Sequence, residues 1–572
     1  MSAEVAPGTH DPRALVRSPR TSTFAHMGEV YLYHDLYGFI LKMSPDILAF
    51  LQEFRTPADP ERVCGRYGNA FGEQTPESFV GIFLQFKCLM TPGTDELDGI
   101  WEMVGVPGPW NVWRREADGG LTFFTAWGER PVREHRLSAA EAAIWRAMDG
   151  ETRLSALAGE HGMAEVTALV ERLVHHDLQA LKLSGVGLSF FKGRQHMQPP
   201  YLTSTMPYAS YDPESDPPVE PLDDLASPEA YYRHAIADAD AQFDHQETTL
   251  SHLFRDPHPA LGGRRYGDAL VDGLAARGLI GEGPLRVLEV GAGLGKVARA
   301  VIESLQARGH EVRYDILELS PTLATRQREE LADLPVTVHQ GEALTDAWPG
   351  EAYDLLISNE MIGDLPAARM THEEARLDDE SLVGDAFQSH LATLGPAGEA
   401  VARYTIPIGD APDPFYINVG AIRFVERAFE ALRPGGVAFI SEFGEMGRWP
   451  VLSTQLDHPE LSIHFGHLMT VAKALGFEPD FVFVMDLIDM DRDARGLATT
   501  RSYFRALQAL LAASGVTLDK RAWTEDLVAD LLEGHVDPET IGDLRYDKIE
   551  DRLMGLVPHE FKALLLRKPE PG

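Results

Sequence analysis

The sequence predicts an α/β Rossmann-like domain preceded by two small α+β winged-helix modules. Three observations carry this reading. A buried strand, Leu285–Val290, runs into Gly291-Ala292-Gly293-Leu294-Gly295, then a helix-patterned stretch, then a second strand, Tyr314 to Leu317, ending on Glu318. Strand, glycine turn, helix, strand and acidic residue form the nucleotide-binding βαβ unit. Nearer the amino end, a pattern of strand pair, helix, short helix, helix and wing occurs twice. Between the two regions, Gln198 to Glu229 is rich in proline and acid and has no period, as a linker does.

The 572 residues have room for about three or four domains. A hydrophobic share of 44% and a charged share of 24% are those of globular protein. The formal charge of −37 disfavours nucleic acid and anionic membrane as partners and suits a cationic substrate; solubility alone explains it as well. Two cysteines, Cys64 and Cys88, argue against a disulfide scaffold or a structural zinc site, and no metal is expected. No run of about 18 apolar residues suggests a membrane span. The first residues lack an apolar signal core, so the expected compartment is the cytoplasm.

In chain order, residues 1–22 read as a loose arm. The first module, 23–115, opens with two strands between Gly28 and Ser44 around a turn near Asp35. Ser44-Pro45-Asp46 caps a helix Ile47 to Phe54, and helices follow at Pro60–Tyr67 and Pro76 to Met90. The second module, 116–195, repeats the plan: a strand pair from Leu121 to Ser138, a helix closed by Gly150, helices at Leu154–His161 and Ala164 to His175, and a closing wing in DLQALKLS. A linker at 196–245 and a domain at 246–572 complete the division, with a polar insertion around 370–416 that serves as a lid, a substrate wall or a solvated excursion. His234, His245, His252 and His258 fall in no metal-binding spacing and read as scattered surface residues.

Both modules, the second through HRLSAAEAAIWRAMDGETRLSALA, resemble the PqqD-like family. The resemblance implies peptide recognition, in which a leader peptide adds a strand to the module's sheet during maturation of a ribosomally made precursor. A winged-helix DNA binder is the other reading. Arg130, Arg133 and Arg136 support it, but Glu129, Glu134 and Glu141 interleave them and no basic recognition helix is present. The modules could also only pack against the second half or form a homodimer.

In the second half the glycine turn lacks the spacing of a dinucleotide fingerprint. Glu289, Gly291, Gly293 and Gly295, with Glu318 and Leu319 on the second strand, fit S-adenosylmethionine better than NAD. Gly341, Glu342 and Ala343 follow a third strand where an adenine edge would lie. A fourth, Asp354 to Ile357, ends on Ser358, Asn359 and Glu360, and a fifth, VAFISEF, on Glu442, Gly444 and Glu445. Ligands of open α/β sheets sit at the carboxyl ends of the strands, so Asn359 and Glu360 belong to the site by topology. The series resembles class I methyltransferases.

EVGAGLGKVA, LELSPTLATRQREEL, SNEMIGDLP, ISEFGE and MGLVPHEFKALLLRK, spread over Leu285 to Lys568, resemble the MidA family, which includes a mitochondrial arginine methyltransferase acting in complex I assembly. The resemblance implies an S-adenosylmethionine-dependent methyltransferase. The family's G-D-F-x-T-S-P segment is replaced by QFDHQETTLSHLF, and its T-A-H-V-D-F by SIHFGH, which keeps His464 and puts Gly466 where the acid stands.

A guanidinium stays protonated in water, so an arginine acceptor needs carboxylates to orient it and disperse its charge. Glu360 leads, with Asn359, Asp364, Glu442 and Glu445 in support and His464 as a possible proton acceptor. The expected function is methylation of a precursor peptide or protein held by the amino-terminal modules, most simply at an arginine nitrogen. A small-molecule methyltransferase and a non-catalytic assembly or regulatory protein are the alternatives.

Overall fold

In a computed structural model, described residues are 13–570 apart from 27–28, 35, 38–39, 69, 73, 109–110, 127–131, 176–177, 179, 192–227, 235, 247–248, 351, 456–457, 498–500, 538–539, 543 and 550–560. Much of the expected arm and linker, the turn at Asp35, Glu129, Arg130 and the start of the MGLVPHEF tail lie outside them. The chain divides into two compact units: 1–225 with 500–518 and 531–545, and 226–499 with 519–530 and 546–572.

The first unit is one plan laid down twice. Its first copy runs β1 (Val16–Arg17), β2 (Thr21–His26), β3 (Glu29–His34), β4 (Ile40–Met43), α1 (Pro45–Gln52), α2 (Pro60–Tyr67), α3 (Pro76–Gln85) and β5 (Leu89–Met90). Its second runs β6 (Val104–Pro107), β7 (Val112–Arg115), β8 (Leu121–Thr125), β9 (Arg133–Leu137), α4 (Ala139–Ala147), α5 (Leu154–His161), α6 (Met163–Val174) and β10 (Leu181–Ser184). Each copy has a three-stranded antiparallel sheet, β2-β3-β4 or β7-β8-β9, and in each the last strand returns to pair the first, β5 with β1 and β10 with β6. Each first helix starts at a serine: Ser44 accepts from the Ile47 N–H, and Ser138 forms a full capping box with Glu141. Two expectations change. The helix expected to reach Met90 stops at Gln85, because Lys87 takes a left-handed φ of 57° and the Cys88 N–H turns back to the Phe83 carbonyl. The expected strand pairs are three-stranded sheets.

The second unit begins with α7 (Pro228–His234), α8 (Ala239–Gln246), α9 (Leu250–Leu253) and α10 (Tyr266–Ala276). Then come β11 (Leu285–Val290), α11 (Lys296–Ala307), β12 (Val312–Glu318), α12 (Pro321–Glu330), β13 (Val336–Gln340) and β14 (Tyr353–Asn359). The insertion holds β15 (Ala368–Met370), α13 (His372–Ala375), α14 (Asp385–Leu391), α15 (Gly395–Tyr404) and β16 (Phe415–Ile417). Next are α16 (Val419–Ala431), β17 (Leu432–Glu445), β18 (Leu452–Gln455), β19 (His458–Leu461), β20 (Ile463–His464), α17 (Phe465–Leu475), β21 (Glu478–Phe483), α18 (Val484–Leu487) and β22 (Arg495–Leu497). After β22 the chain forms α19 (Arg501–Ala512), which belongs to the first unit, then α20 (Glu525–Leu532), β23 (Tyr546–Lys548) and β24 (Phe561–Arg567).

The main sheet orders as β13-β12-β11-β14-β17-β24-β21, with β20 paired to the end of β17. Neighbours from β13 to β17 are parallel, and β24 is antiparallel to both β17 and β21. Apolar side chains of its two faces enter two separate cores, one with α10 and α11, the other with α16 and α17. The expected proline-glycine turn after α16 is a bulge: β14 pairs Tyr353 with Leu432 but Leu355 with Val437, and Gly435 has φ 77°.

Three further differences concern the second half. Met370, Ala375, Leu391, Val401, Ile406 and Phe415 of the insertion are buried in the core beside α16, so it is a folded wing and not a solvated excursion. His252 and His258 are buried, not surface residues; the His258 Nδ1 accepts from the Ala260 N–H. Residues 500–518 and 531–545, read with the second half, group with the first unit. Among the described residues no helix is long and apolar enough to cross a membrane.

Candidate functional site

The site forms where β11, β12, β14 and β17 end. After β11 the chain turns through Gly291, Gly293 and Gly295 at φ 76°, 52° and 80°, a left-handed path open to glycine at little cost. The Gly291 N–H donates to the Leu317 carbonyl at 3.0 Å, tying the turn to β12. A Cβ on Gly291 would lie 2.7 Å from the Met361 Cγ, so the glycine turn and the segment after Glu360 are in immediate contact.

Two buried carboxylates stand behind this turn. Glu289 accepts from the Tyr314 hydroxyl at 2.7 Å. Burial pushes it up to about 7, with the nearby Glu318 adding to the shift. Glu318 accepts from the Ser320 N–H at 2.9 Å and from the Gln327 Nε2 at 2.7 Å, and burial pushes it up to about 7 as well. The same Gln327 Nε2 donates to the Gly293 carbonyl at 2.8 Å, linking acid to turn. Leu319 follows, half-buried. Gly341 donates its N–H to the Glu318 carbonyl at 2.9 Å. Glu342 folds back on its own turn, accepting from the Leu344 and Thr345 N–H groups, and the Ala343 carbonyl receives Trp348 and Arg427.

β14 delivers Asn359 and Glu360. Glu360 has φ 55°, uncommon for a residue with a side chain and a mark of strain held by its surroundings. Its N–H donates to the Ser441 carbonyl at 2.9 Å, and its Oε1 receives the Asn359 Nδ2 at 3.3 Å and the Ser251 N–H and hydroxyl at 3.4 Å. Ser251 and Phe243 both lie in the stretch QFDHQETTLSHLF, and Phe243 lies 3.9 Å from a Cβ placed on Gly293. That stretch therefore reaches the site at two points.

The other expected residues take different places. Asp364 accepts from the Tyr232 hydroxyl of α7 at 2.9 Å. Glu442 anchors the turn before it, accepting from the Gly363 N–H at 2.9 Å. Glu445 pairs with the buried Lys562 at 2.8 Å, which neutralises it. His464 stands opposite Glu445 in the β17–β20 register and caps α17, its Nδ1 accepting the His467 N–H at 3.1 Å and its ring stacked on His467 at 3.5 Å. That hydrogen bond occupies one ring lone pair, so the other nitrogen carries the proton of the neutral ring. The structure thus joins Asn359 to Glu360 and Glu442 to the Asp364 turn.

Tyr266, Ser441, Gln327 and Ser251 were missed from the sequence. Ser441 has a visible signal, a hydroxyl inside the apolar run VAFISEF, and Gln327 stands in LELSPTLATRQREEL, one of the stretches that carried the resemblance; Tyr266 and Ser251 carry none without the fold.

Residues 275–454, which hold β11 to β17, match the model of a family described as "Putative S-adenosyl-L-methionine-dependent methyltransferase". No curated protein matches the chain. Among solved structures it is similar to a superfamily member from Burkholderia thailandensis bound to S-adenosyl-homocysteine (16% identity over 57% of this chain and 80% of that one, TM-score 0.32). It is also similar to an S-adenosylmethionine dependent methyltransferase from Mesorhizobium loti (14%, 52% and 97%, TM-score 0.24). A third is the 1,6-didemethyltoxoflavin-N1-methyltransferase of Burkholderia thailandensis, with 1,6-didemethyltoxoflavin and S-adenosylhomocysteine bound (15%, 53% and 77%, TM-score 0.24). The chain is an S-adenosylmethionine-dependent methyltransferase of Rossmann-like class I fold, with S-adenosylmethionine as its cofactor. Its residues fit that cofactor: a Cβ on Gly293 would meet only the Phe243 ring, at 3.9 Å, so the turn keeps an open side, and among the described residues the buried Gln327 Oε1 beside Glu318 has no hydrogen-bond partner.

Proposed function

We propose that this methyltransferase modifies a cationic side chain, an arginine nitrogen, in a ribosomally made precursor peptide, with the duplicated unit at its amino end holding the peptide's leader. One observation carries the acceptor assignment. Glu360 is a carboxylate fixed in a left-handed backbone at the end of β14, and its successor Met361 abuts the cofactor's glycine turn. An anionic group so placed favours a cationic acceptor. The net charge of −37 draws such substrates in, and a small three-stranded sheet with outer strands, present twice, can be extended by a peptide strand.

When bound, S-adenosylmethionine supplies an activated methyl on a sulfonium with a good leaving group. The chain's part is alignment and exclusion of water. Glu318, with Gln327 and Ser320 behind it, offers acceptor oxygens to a ribose diol. Glu360 accepts from the guanidinium, turns one nitrogen towards the methyl and disperses the charge of the attacking group. Asp364 stands on the turn beside it, oriented by Tyr232.

The test is mass spectrometry of short peptides encoded beside this gene after incubation with the protein and S-adenosylmethionine. A one-methyl mass gain mapped to an arginine, lost with Glu360→Gln, is expected. Methylation at a neutral or acidic residue, or of small molecules only, overturns the reading.

A further inference from the structure

Glu360 does not hold its geometry alone. Behind it lies a buried chain of hydrogen bonds that the cofactor and acceptor assignments leave unused. The Tyr266 hydroxyl of α10 meets the Asn359 Oδ1 at 2.6 Å, and the Ser441 hydroxyl of β17 meets the same oxygen at 3.0 Å. Tyr266 and Ser441 are fully enclosed, 1% and 0% exposed. The sense of every bond is fixed by its far end. An ionised carboxylate only accepts, so the Asn359 amide must turn its Nδ2 towards Glu360 and its Oδ1 towards the two hydroxyls. Both hydroxyls therefore donate. Burial and the charge of Glu360 push the Tyr266 phenol well above its ordinary range, so it stays a donor.

Three elements converge on one amide: α10 through Tyr266, β17 through Ser441, and β14 through Asn359 itself. The Ser441 carbonyl also accepts the Glu360 N–H, so this single residue holds both the backbone and, through Asn359, the side chain of Glu360. A packed interior has no use for two hydroxyls on one carbonyl unless the amide's direction matters. Phenylalanine and alanine would fill the same places without polar atoms to satisfy.

We infer that Tyr266 and Ser441 are positioning residues that lock the Asn359 amide so that its N–H aims the Glu360 carboxylate at the position of the transferred methyl. This rests on the reading of Glu360 as the acceptor-orienting carboxylate. It adds a specificity device: the site's preference for positive charge at that position depends on residues that touch neither cofactor nor acceptor.

Sinefungin, a cofactor analogue with a primary amine where S-adenosylmethionine carries its methyl, probes that charge directly, and S-adenosylhomocysteine is the neutral reference. The ratio of their affinities to the full-length protein, by calorimetric titration, reads the aim of Glu360 without any acceptor. Tyr266→Phe and Ser441→Ala are expected each to lower the preference for sinefungin by about five- to tenfold, the scale of one hydrogen bond between neutral groups, and to leave S-adenosylhomocysteine binding within about twofold. Glu360→Gln is expected to abolish the preference, and Tyr266→Phe added to it to change nothing more. If Glu360→Gln keeps the preference, the reading of Glu360 fails. If Glu360→Gln abolishes it while both hydroxyl variants keep it, the relay is overturned and the reading of Glu360 stands. Equal loss of both ligands in both hydroxyl variants makes the two groups structural and overturns the relay too.

Discussion

At the scale of single residues, burying Glu289 and Glu318 carries a cost, and the cost has a sign. Burial pushes both up to about 7, so the folded chain holds protons that the unfolded chain has released. Between the ordinary carboxylate range and about pH 7, the native state binds more protons than the unfolded one, and stability falls as pH rises through that window. A ribose diol needs the ionised acceptor, so cofactor affinity runs the other way. We expect the thermal midpoint of the ligand-free protein to drop from about pH 5 to 8 while S-adenosylmethionine affinity climbs, with both slopes shallower in Glu318→Gln. Scanning calorimetry and titration at stepped pH check this; an affinity flat across the window would refute it. Glu289, the glycines, Glu318, Asn359 and Glu360 were legible because strand-end topology places them before any coordinates exist. Tyr266 was not, since a tyrosine on an amphipathic helix reads as core, and only the fold brings its hydroxyl to Asn359.

At the scale of elements, α7 and α8 stand over the cofactor turn. Tyr231, Ile236, Ala239 and Phe243 pack with Leu294 of the turn and Leu323 of α12. Polar ties reinforce the contact: the Thr322 hydroxyl donates to the Ile236 carbonyl at 3.0 Å, and Arg326 meets Asp240 at 3.0 Å. A cluster this small is marginal without a ligand beneath it. Phe243→Ala is expected to weaken S-adenosylmethionine binding about five- to tenfold, mainly through faster release, as expected when ordering contacts over a ligand are lost. Stopped-flow displacement checks this, and an unchanged off-rate would remove these helices from cofactor retention. The segment's role was hidden in the sequence because its apolar residues sit among aspartates and prolines with no sustained period. The insertion hid in the same way, with Leu391, Val401 and Ile406 scattered between charged residues that face out. The glycine turn and the parallel strands, by contrast, announce themselves through unbroken apolar runs.

At the scale of the molecule, the duplicated unit is not closed by its own stretch of chain. α19 buries Tyr503, Phe504, Leu507 and Leu510 and packs on β7 and β8. Further on, Ile541 forms an antiparallel bridge with Arg114, and the Gly542 N–H donates to the Trp113 carbonyl at 2.7 Å. A side chain at 542 has no room: its Cβ would lie 2.2 Å from the Trp113 ring. In the second copy, then, the outer strand β7 and one sheet face are covered by residues about 400 positions later, while the first copy receives no such helix among the described residues. Sequence order could not reveal this, because α19 carries the same amphipathic pattern wherever it packs. Phe504→Ala is expected to cost about 3–5 kcal/mol, the range for emptying a buried phenylalanine site, and to lower the unfolding temperature of the first unit. S-adenosylmethionine affinity should stay unchanged, since the residues around Phe504 belong to that unit. Phe504→Asp should open the β7–β8 face and bind a hydrophobic dye that the natural chain does not. Scanning calorimetry of Phe504→Ala with and without cofactor, beside dye binding of Phe504→Asp, reads both. A Phe504→Asp chain that stays dye-silent with an unshifted first transition would show that the second copy closes its own core, and that the late segment is only an attachment to it.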